Sequence, residues 1–376
     1  MHQQLLFWKK LAVSAKAFAI YRLPNEEEPR LIVQTDGEVQ TYPTMQALPI
    51  APCFVMAPFV ISSSHPVYVI QPQLVAKGWQ EIKACLKRFP DASDADASLL
   101  SVIPQLVNYE EYTSLFASTQ QLLKQQKVKK IVLSRCLHIA IDDLAIEASF
   151  QAACESYKEA MVYLSYTPQQ GLWMGCTPEI LLQCEQGKGQ TIALAGTQSQ
   201  EESSAEVKQW DDKNRMEQQI VSDYIYEQLV KHTDTITIGK LHTRSAGKLA
   251  HLCRTFHFQL SSTEKMAALL LDMHPTPAVC GWPKREVLDF LTQSEGYDRG
   301  YYAGFVGWLD GIDNTHLFVN LRCAQLDEEG ATLYAGGGIL SSSKVNEEWQ
   351  ETENKMLTIK NILREKCTPI KKIIYS

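Results

Sequence analysis

Hydrophobic positions recur with two periods along this chain, and each switch of period marks a new element. Short apolar or alternating runs at 17–23, 30–35, 53–61 and 66–70 are broken by Pro24, Asn25, Asp36 and Gly37, which predicts strands joined by turns. The small polar stretch DASDADAS at 91–98 predicts a surface linker. We therefore divide the chain into a strand-rich part of the fold, residues 1–98, and a region carrying the chemistry, residues 99–376. A helical period follows over 109–127, with Leu115, Phe116, Ala117, Leu122 and Leu123 on its apolar side. The run KKIVLSRCLHIAI then returns to a strand, whose one face carries Lys130, Val132, Ser134 and Cys136.

Further on, a helix is predicted over 148–160 and a strand over 161–166. In GLWMGCTPEILLQCE two apolar strands flank a turn made by Gly175, Thr177 and Pro178, from which Glu179 emerges. The strand TIALAGTQ ends in a small-residue turn at Gly196 and Thr197. KNRMEQQIVSDYIYEQLV is helical, with Glu217, Val221 and Tyr224 on one face. Residues 235–260 are strand-like, and Pro275, Pro277, Gly281 and Pro283 force an irregular loop before a helix starting near Lys284. LFVNLRCAQL alternates so that Phe318, Asn320, Arg322 and Ala324 share a face. Finally, a strand enters three glycines at 336–338, a polar turn follows, and a helix begins near Asn346. On that helix Glu348, Glu351 and Lys355 project together, while Trp349, Thr352 and Met356 form an inward stripe.

These placements carry candidate chemistry. Two acids and a lysine beside a glycine-lined turn suit a divalent cation with an anionic ligand; a solvated, ion-paired helix face is the other reading. A lysine at the rim of an apolar strand face, Lys130, is a candidate general base, since desolvation disfavours an ammonium. Glu179, flanked by Pro178 and Ile180, is a candidate acid if desolvated and an ordinary turn residue if not. Gly196 and Thr197 suit a bound carboxylate or hydroxyl. The proline-rich loop offers His274 and the backbone around Ala278 and Val279 as ligand contacts. Arg322 in an apolar strand needs a partner, either a substrate carboxylate or an internal acid. His242, His251 and His257 show no metal-ligand spacing and read as structural.

Composition narrows the class. With 376 residues and 45% hydrophobic content the chain can bury a large core. A net charge of -7 without a basic cluster argues against nucleic acid as a partner. No run approaches a membrane span, and no secretory leader is expected. Ten scattered cysteines without a CxxC pair predict reduced thiols in a cytoplasmic protein.

Taken in order, KIVLSR at 130–135, TPEILL at 177–182, ALAGT at 193–197, KNRMEQ at 213–218, HPTPAVCGWPK at 274–284, RGYYAG at 299–304, LRCA at 321–324 and AGGGI with EWQETENK up to Lys355 resemble the chorismate-utilising enzymes. The resemblance is strongest to the isochorismate synthases, within a family related to anthranilate synthase component I. It implies one large α/β (α+β) domain with layered antiparallel β-sheets flanked by helices. It further implies that Lys130 activates water for attack at C2 of chorismate and that Glu179 protonates the departing C4 hydroxyl. By the same resemblance Glu217 and Glu351 hold Mg2+ with Glu348 close by. The resemblance also implies that Arg322, Lys355, Gly196, Thr197 and the backbone near Val279 and Gly336 hold the substrate, with the product expected to feed menaquinone or siderophore biosynthesis.

Glutamine is implied at position 130 in the ammonia-using sister enzymes, so Lys130 argues against them, and no glutaminase subunit is expected. Salicylate synthase, an aminodeoxychorismate synthase-like enzyme and an inactive binding or scaffold homologue are the competing readings. Two departures from the family pattern, Asn214 and Gln218, flank Glu217.

Overall fold

The computed structural model describes residues 7–90, 105–142, 144–199, 206–247 and 249–365. The linker expected at 91–98 and the domain boundary beside it lie outside the described residues, as does Cys367. Among the described residues, strands form two antiparallel sheets, one of nine strands and one of ten, flanked by eight helices. This is the layered α+β architecture that the resemblance implies.

Sheet membership follows from which face each side chain buries. In the strand Ala17–Arg22 every residue is buried. Ala17, Ala19 and Tyr21 enter the core shared with the second sheet, while Phe18 and Ile20 face a core under helices that contribute Trp8, Leu11, Phe150 and Met356. The nine-stranded sheet is thus covered on both sides, and its strands read as nearly continuous apolar runs. Strands from residues 17–77 join both sheets. Ala17–Arg22 pairs with Met161–Thr167, and Cys53–Ala57 pairs with Phe305–Leu309.

Three elements set up the site. The strands Lys130–Ala140 and Gly330–Ile339 pair over ten positions, bringing Gly338 opposite Val132. The helix Val345–Lys360 lies along the second of them, burying Thr352, Met356 and Ile359. Each apolar side chain fully buried there contributes about 1.5–3 kcal/mol. The guanidinium of Arg135 stacks 3.7 Å over the Trp349 ring and donates to Thr352 Oγ1 at 2.7 Å, which fixes the helix's rotation. The helix Asp212–His232 starts at Asp211, whose side chain accepts from the Asn214 N–H.

Several local expectations are corrected. The three glycines form no turn; they lie inside the strand Gly330–Ile339. Gly175 likewise sits within the strand Gly171–Thr177, where a Cβ would meet the Tyr163 ring at 2.5 Å. The strand Lys188–Ser199 runs through Gly196, and its register shifts between Ala195 and Gln198 as a bulge. Arg322 is not a strand residue. It occupies the crossing between Asn314–Val319 in one sheet and Cys323–Leu326 in the other, with φ 48. The helix Tyr109–Lys124 leaves Ala117 exposed. No helix among the described residues is long and apolar enough to cross a membrane, and the nine described cysteines are free thiols.

Candidate active site

A small cavity of about 60 Å³ opens where the two sheets meet, and most of the predicted residues converge on it. Glu179, Gly196, Thr197, Glu217, Ala278, Val279, Arg322, Gly336 and Lys355 line its wall. Lys130 lies just behind that wall, fully buried, with Nζ 3.0 Å from Glu217 Oε1. That ammonium has no hydrogen bond of good geometry, so its stabilisation is the ion pair alone. Glu348 and Glu351 sit one layer further out. His274 is not at the cavity, contrary to expectation: its Nε2 lies 3.0 Å from the Pro58 carbonyl and its ring meets Phe305 edge-on.

Glu179 leaves the strand Gly171–Thr177 just before Ile180–Glu185 begins, and its carbonyl accepts from the Val319 N–H. The side chain points into a desolvated space, and burial pushes its pKa up to about 8 despite the opposing charges of Lys130, Lys355 and Arg322. A carboxyl that keeps its proton at neutral pH can donate it.

Arg322 is 8% exposed and has no carboxylate within 4 Å among the described ion pairs, so the internal-acid alternative fails. Its guanidinium rests instead on two neutral groups, His251 Nε2 at 3.1 Å and Thr358 Oγ1 at 3.4 Å. His251 Nδ1 lies 2.9 Å from the Gly196 carbonyl, an acceptor, so Nδ1 carries the proton and Nε2 accepts from Arg322. Burial, with Arg322 and Lys355 adding to it, pushes the His251 pKa down to about 3 and keeps the ring neutral. His251 therefore belongs to the cavity wall, although its sequence context gave only the pattern of a buried strand residue.

Tyr302 and Tyr334 also line the cavity, and no sequence signal singled them out. Their rings stack with centroids 5.5 Å apart, and Tyr334 stacks on Trp173 at 5.4 Å. This apolar wall suits a planar ring. The part of the wall formed by Val132 and Val279 is held by Arg299, which donates to both of their carbonyls and is clamped by Glu295. Gly281 lets the proline-rich loop lie against the base strand, since a Cβ there would stand 2.3 Å from the Lys130 carbonyl.

Whether the carboxylates fit a divalent cation can be tested on the same geometry. A Cβ at Gly338 would stand 2.1 Å from Glu217 Oε1, and one at Gly337 would stand 3.1 Å from Glu348 Oε2. The glycines thus clear space for acids from two helices. Glu348 is 1% exposed, and its Oε2 is buried without a hydrogen-bond partner. Burial and the nearby Glu351 raise its pKa. Glu351 is half-buried, and Lys355 and Lys213 hold its pKa low. Among the described residues no three acid, histidine or cysteine side chains stand close enough to enclose an ion as they are placed. The donor set is nonetheless hard oxygen with one orphaned atom, and it fits a cation such as Mg2+ once its lysine partners yield. Asn214 takes no part in it: its side chain bonds Asp211 and accepts from the Thr197 N–H, which braces the bulge.

Comparison with known proteins agrees with this geometry. Residues 52–364 match the family described as chorismate binding enzymes. The isochorismate synthase EntC of Escherichia coli K12 is 28% identical over 297 residues, covering 75% of this chain and 74% of that protein. The isochorismate synthase MenF of Pasteurella multocida is 30% identical over 301 residues, covering 75% and 68%. Among solved structures, the putative 2,3-dihydroxybenzoate-specific isochorismate synthase DhbC of Bacillus anthracis superposes with a TM-score of 0.76 at 21% identity, over 95% of this chain and 99% of that one. With a family match spanning most of its length and the same fold, this chain belongs to the chorismate-binding enzymes.

Proposed function

We propose that the chain is an isochorismate synthase, a Mg2+-dependent isomerase converting chorismate to isochorismate in the cytoplasm, with the product feeding menaquinone or siderophore biosynthesis. The observation that carries this reading is the pairing of a buried, proton-bearing Glu179 with a buried Lys130 at one cavity that also holds an arginine lacking an acidic partner. Two curated relatives named as isochorismate synthases support it.

In the proposed reaction Lys130, as the neutral amine and not the ammonium that pairs with Glu217 here, takes a proton from a water that attacks C2. The ring double bonds shift, and the C4–oxygen bond breaks. Glu179 gives its proton to the departing oxygen, which leaves as water, so atoms and charge balance. Neither residue becomes covalently attached. Arg322, held by neutral His251, receives a carboxylate of the substrate bidentately, and Lys355 and the Thr197 region take further oxygens. The Tyr302 and Tyr334 rings exclude water from the ring face. Glu217 and Glu351 would hold Mg2+, with Glu348 alongside, and the ion would supply positive charge against the ring carboxylate.

The test is turnover of chorismate by the pure chain with and without Mg2+, with products separated by chromatography. Isochorismate is expected, with turnover falling on the order of 10²-fold or more in Lys130→Ala and Glu179→Gln variants that still melt cooperatively. Salicylate with pyruvate as the main products would replace this reading with the lyase one, and no turnover at all would favour a binding homologue.

A further inference from the structure

Each of the three carboxylates read as the cation's seat is met by a lysine. Lys130 faces Glu217 at 3.0 Å, Lys213 faces Glu348 at 2.7 Å and Lys355 faces Glu351 at 2.5 Å. Three buried or half-buried carboxylates are therefore already neutralised within the chain. A divalent cation added to this balanced set would leave it strongly positive, and the ring carboxylate of a substrate offsets only part of that. A cation also needs the carboxylate oxygens that these lysines hold, and the neutral amine that the proposed reaction asks of Lys130 frees only Glu217, so a second lysine has to leave its acid.

Geometry singles out which one. Lys130 is completely buried, its stem sealed under Gly338. Lys355 is anchored twice, to Glu351 and to the Gly336 carbonyl at 2.7 Å. Lys213 has Glu348 as its one ion-pair partner among the described residues, and at 22% its side chain is the most exposed of the three. It also stands in the first turn of the helix Asp212–His232, where the helix dipole disfavours a positive charge. Its position is explained by the acids across from it and not by its own helix. Glu348, the acid it meets, keeps its second oxygen unpartnered.

We propose that Lys213 is a built-in counter-cation for the carboxylate site: it holds Glu348 while no metal is bound and withdraws toward solvent when a divalent cation loads. The inference rests on the reading of Glu217, Glu351 and Glu348 as the Mg2+ seat. In consequence Lys213 competes with the metal and sets the affinity of the site, keeping the metal-free chain folded at the expense of tight binding.

Titration calorimetry with Mg2+ alone, on the full chain without substrate, tests this. Lys213→Met should bind Mg2+ about tenfold tighter or more, because a like charge next to the ion is gone. In EDTA the same variant should melt below wild type, and saturating Mg2+ should raise its melting temperature by more than it raises that of wild type. Lys213→Arg, which keeps the charge, should bind no tighter than wild type. Should Lys213→Met bind Mg2+ equally or more weakly, Lys213 is a support for the ligands and the inference falls. Wild type binding no Mg2+ while turning over chorismate would overturn the inference and leave the proposed isomerisation standing. The expected affinities without any chorismate turnover would sink the functional reading alone.

Discussion

Glu179 and His251 share one low-dielectric cavity, and burial drives both toward their neutral forms. For Glu179 the proton stays on in the folded chain up to about pH 8, whereas the unfolded chain loses it near the ordinary value of 4.5. Between those limits the native state binds more protons, so stability falls as pH rises, by up to about 1.4 kcal/mol per pH unit. Above about pH 8 the penalty of a buried carboxylate is fully present. Glu179→Gln removes it, and the variant's melting temperature should overtake that of wild type between pH 5 and pH 9; parallel curves would show that the side chain is solvated. Turnover should fall in wild type as pH rises past about 8 and drop on the order of 10²-fold or more in the variant. His251 makes a different prediction. Its ring accepts from Arg322 and donates to the Gly196 carbonyl, so His251→Ala should loosen the guanidinium and raise KM several-fold with a smaller change in kcat. A collapse of kcat at unchanged KM would mean that the ring acts on the reacting atoms instead.

At the scale of elements, the strand Gly330–Ile339 is where sequence and structure diverge most usefully. Three consecutive glycines read as a turn because glycine tolerates positive φ, yet none of Gly336, Gly337 and Gly338 has positive φ here. What they supply is clearance: Gly338 lets the Glu217 carboxylate and the Lys130 stem approach the strand. Gly338→Ala should therefore cost about 1–3 kcal/mol of stability by overpacking. It should also lower activity far more than Gly337→Ala, whose nearest clash is the 3.1 Å approach to Glu348 Oε2. Equal losses from the two, read by denaturant melts and initial rates, would contradict the clearance argument. The helix Val345–Lys360 was legible because its polar and apolar stripes follow one period, and so was the helix Lys284–Ser294 after its proline-rich loop. Periodicity reports whether a side chain is buried but not which cavity it meets. That is why His274 was expected at the site and sits against Pro58, while His251 was read as structural and lines the cavity. Alternation also carries no mark of a chain changing sheets, which is what it does around Arg322.

Across the whole molecule, an acidic chain presents a cationic cavity because its positive groups converge. Net charge is -7, yet Lys130, Arg322 and Lys355 all act on Glu179 from around one cavity. That convergence depends on both sheets, and both sheets depend on the strands before residue 90. Ala17–Arg22, Arg30–Gln34 and Leu74–Lys77 complete the nine-stranded sheet beyond Met161–Thr167, and Gln40–Tyr42, Cys53–Ala57 and Val67–Ile70 complete the other beyond Phe305–Leu309. Deleting residues 1–98 would strip a hydrogen-bonding partner from two apolar strands at once and uncover the inter-sheet core around Tyr163 and Phe305. Chain 99–376 expressed alone should be insoluble or bind hydrophobic dyes without a cooperative melt, and the full chain should unfold in one transition. If the shortened chain melted cooperatively and still bound chorismate, the strands at 17–77 would be an appended layer, and the site would owe its shape to the remaining sheet edges alone.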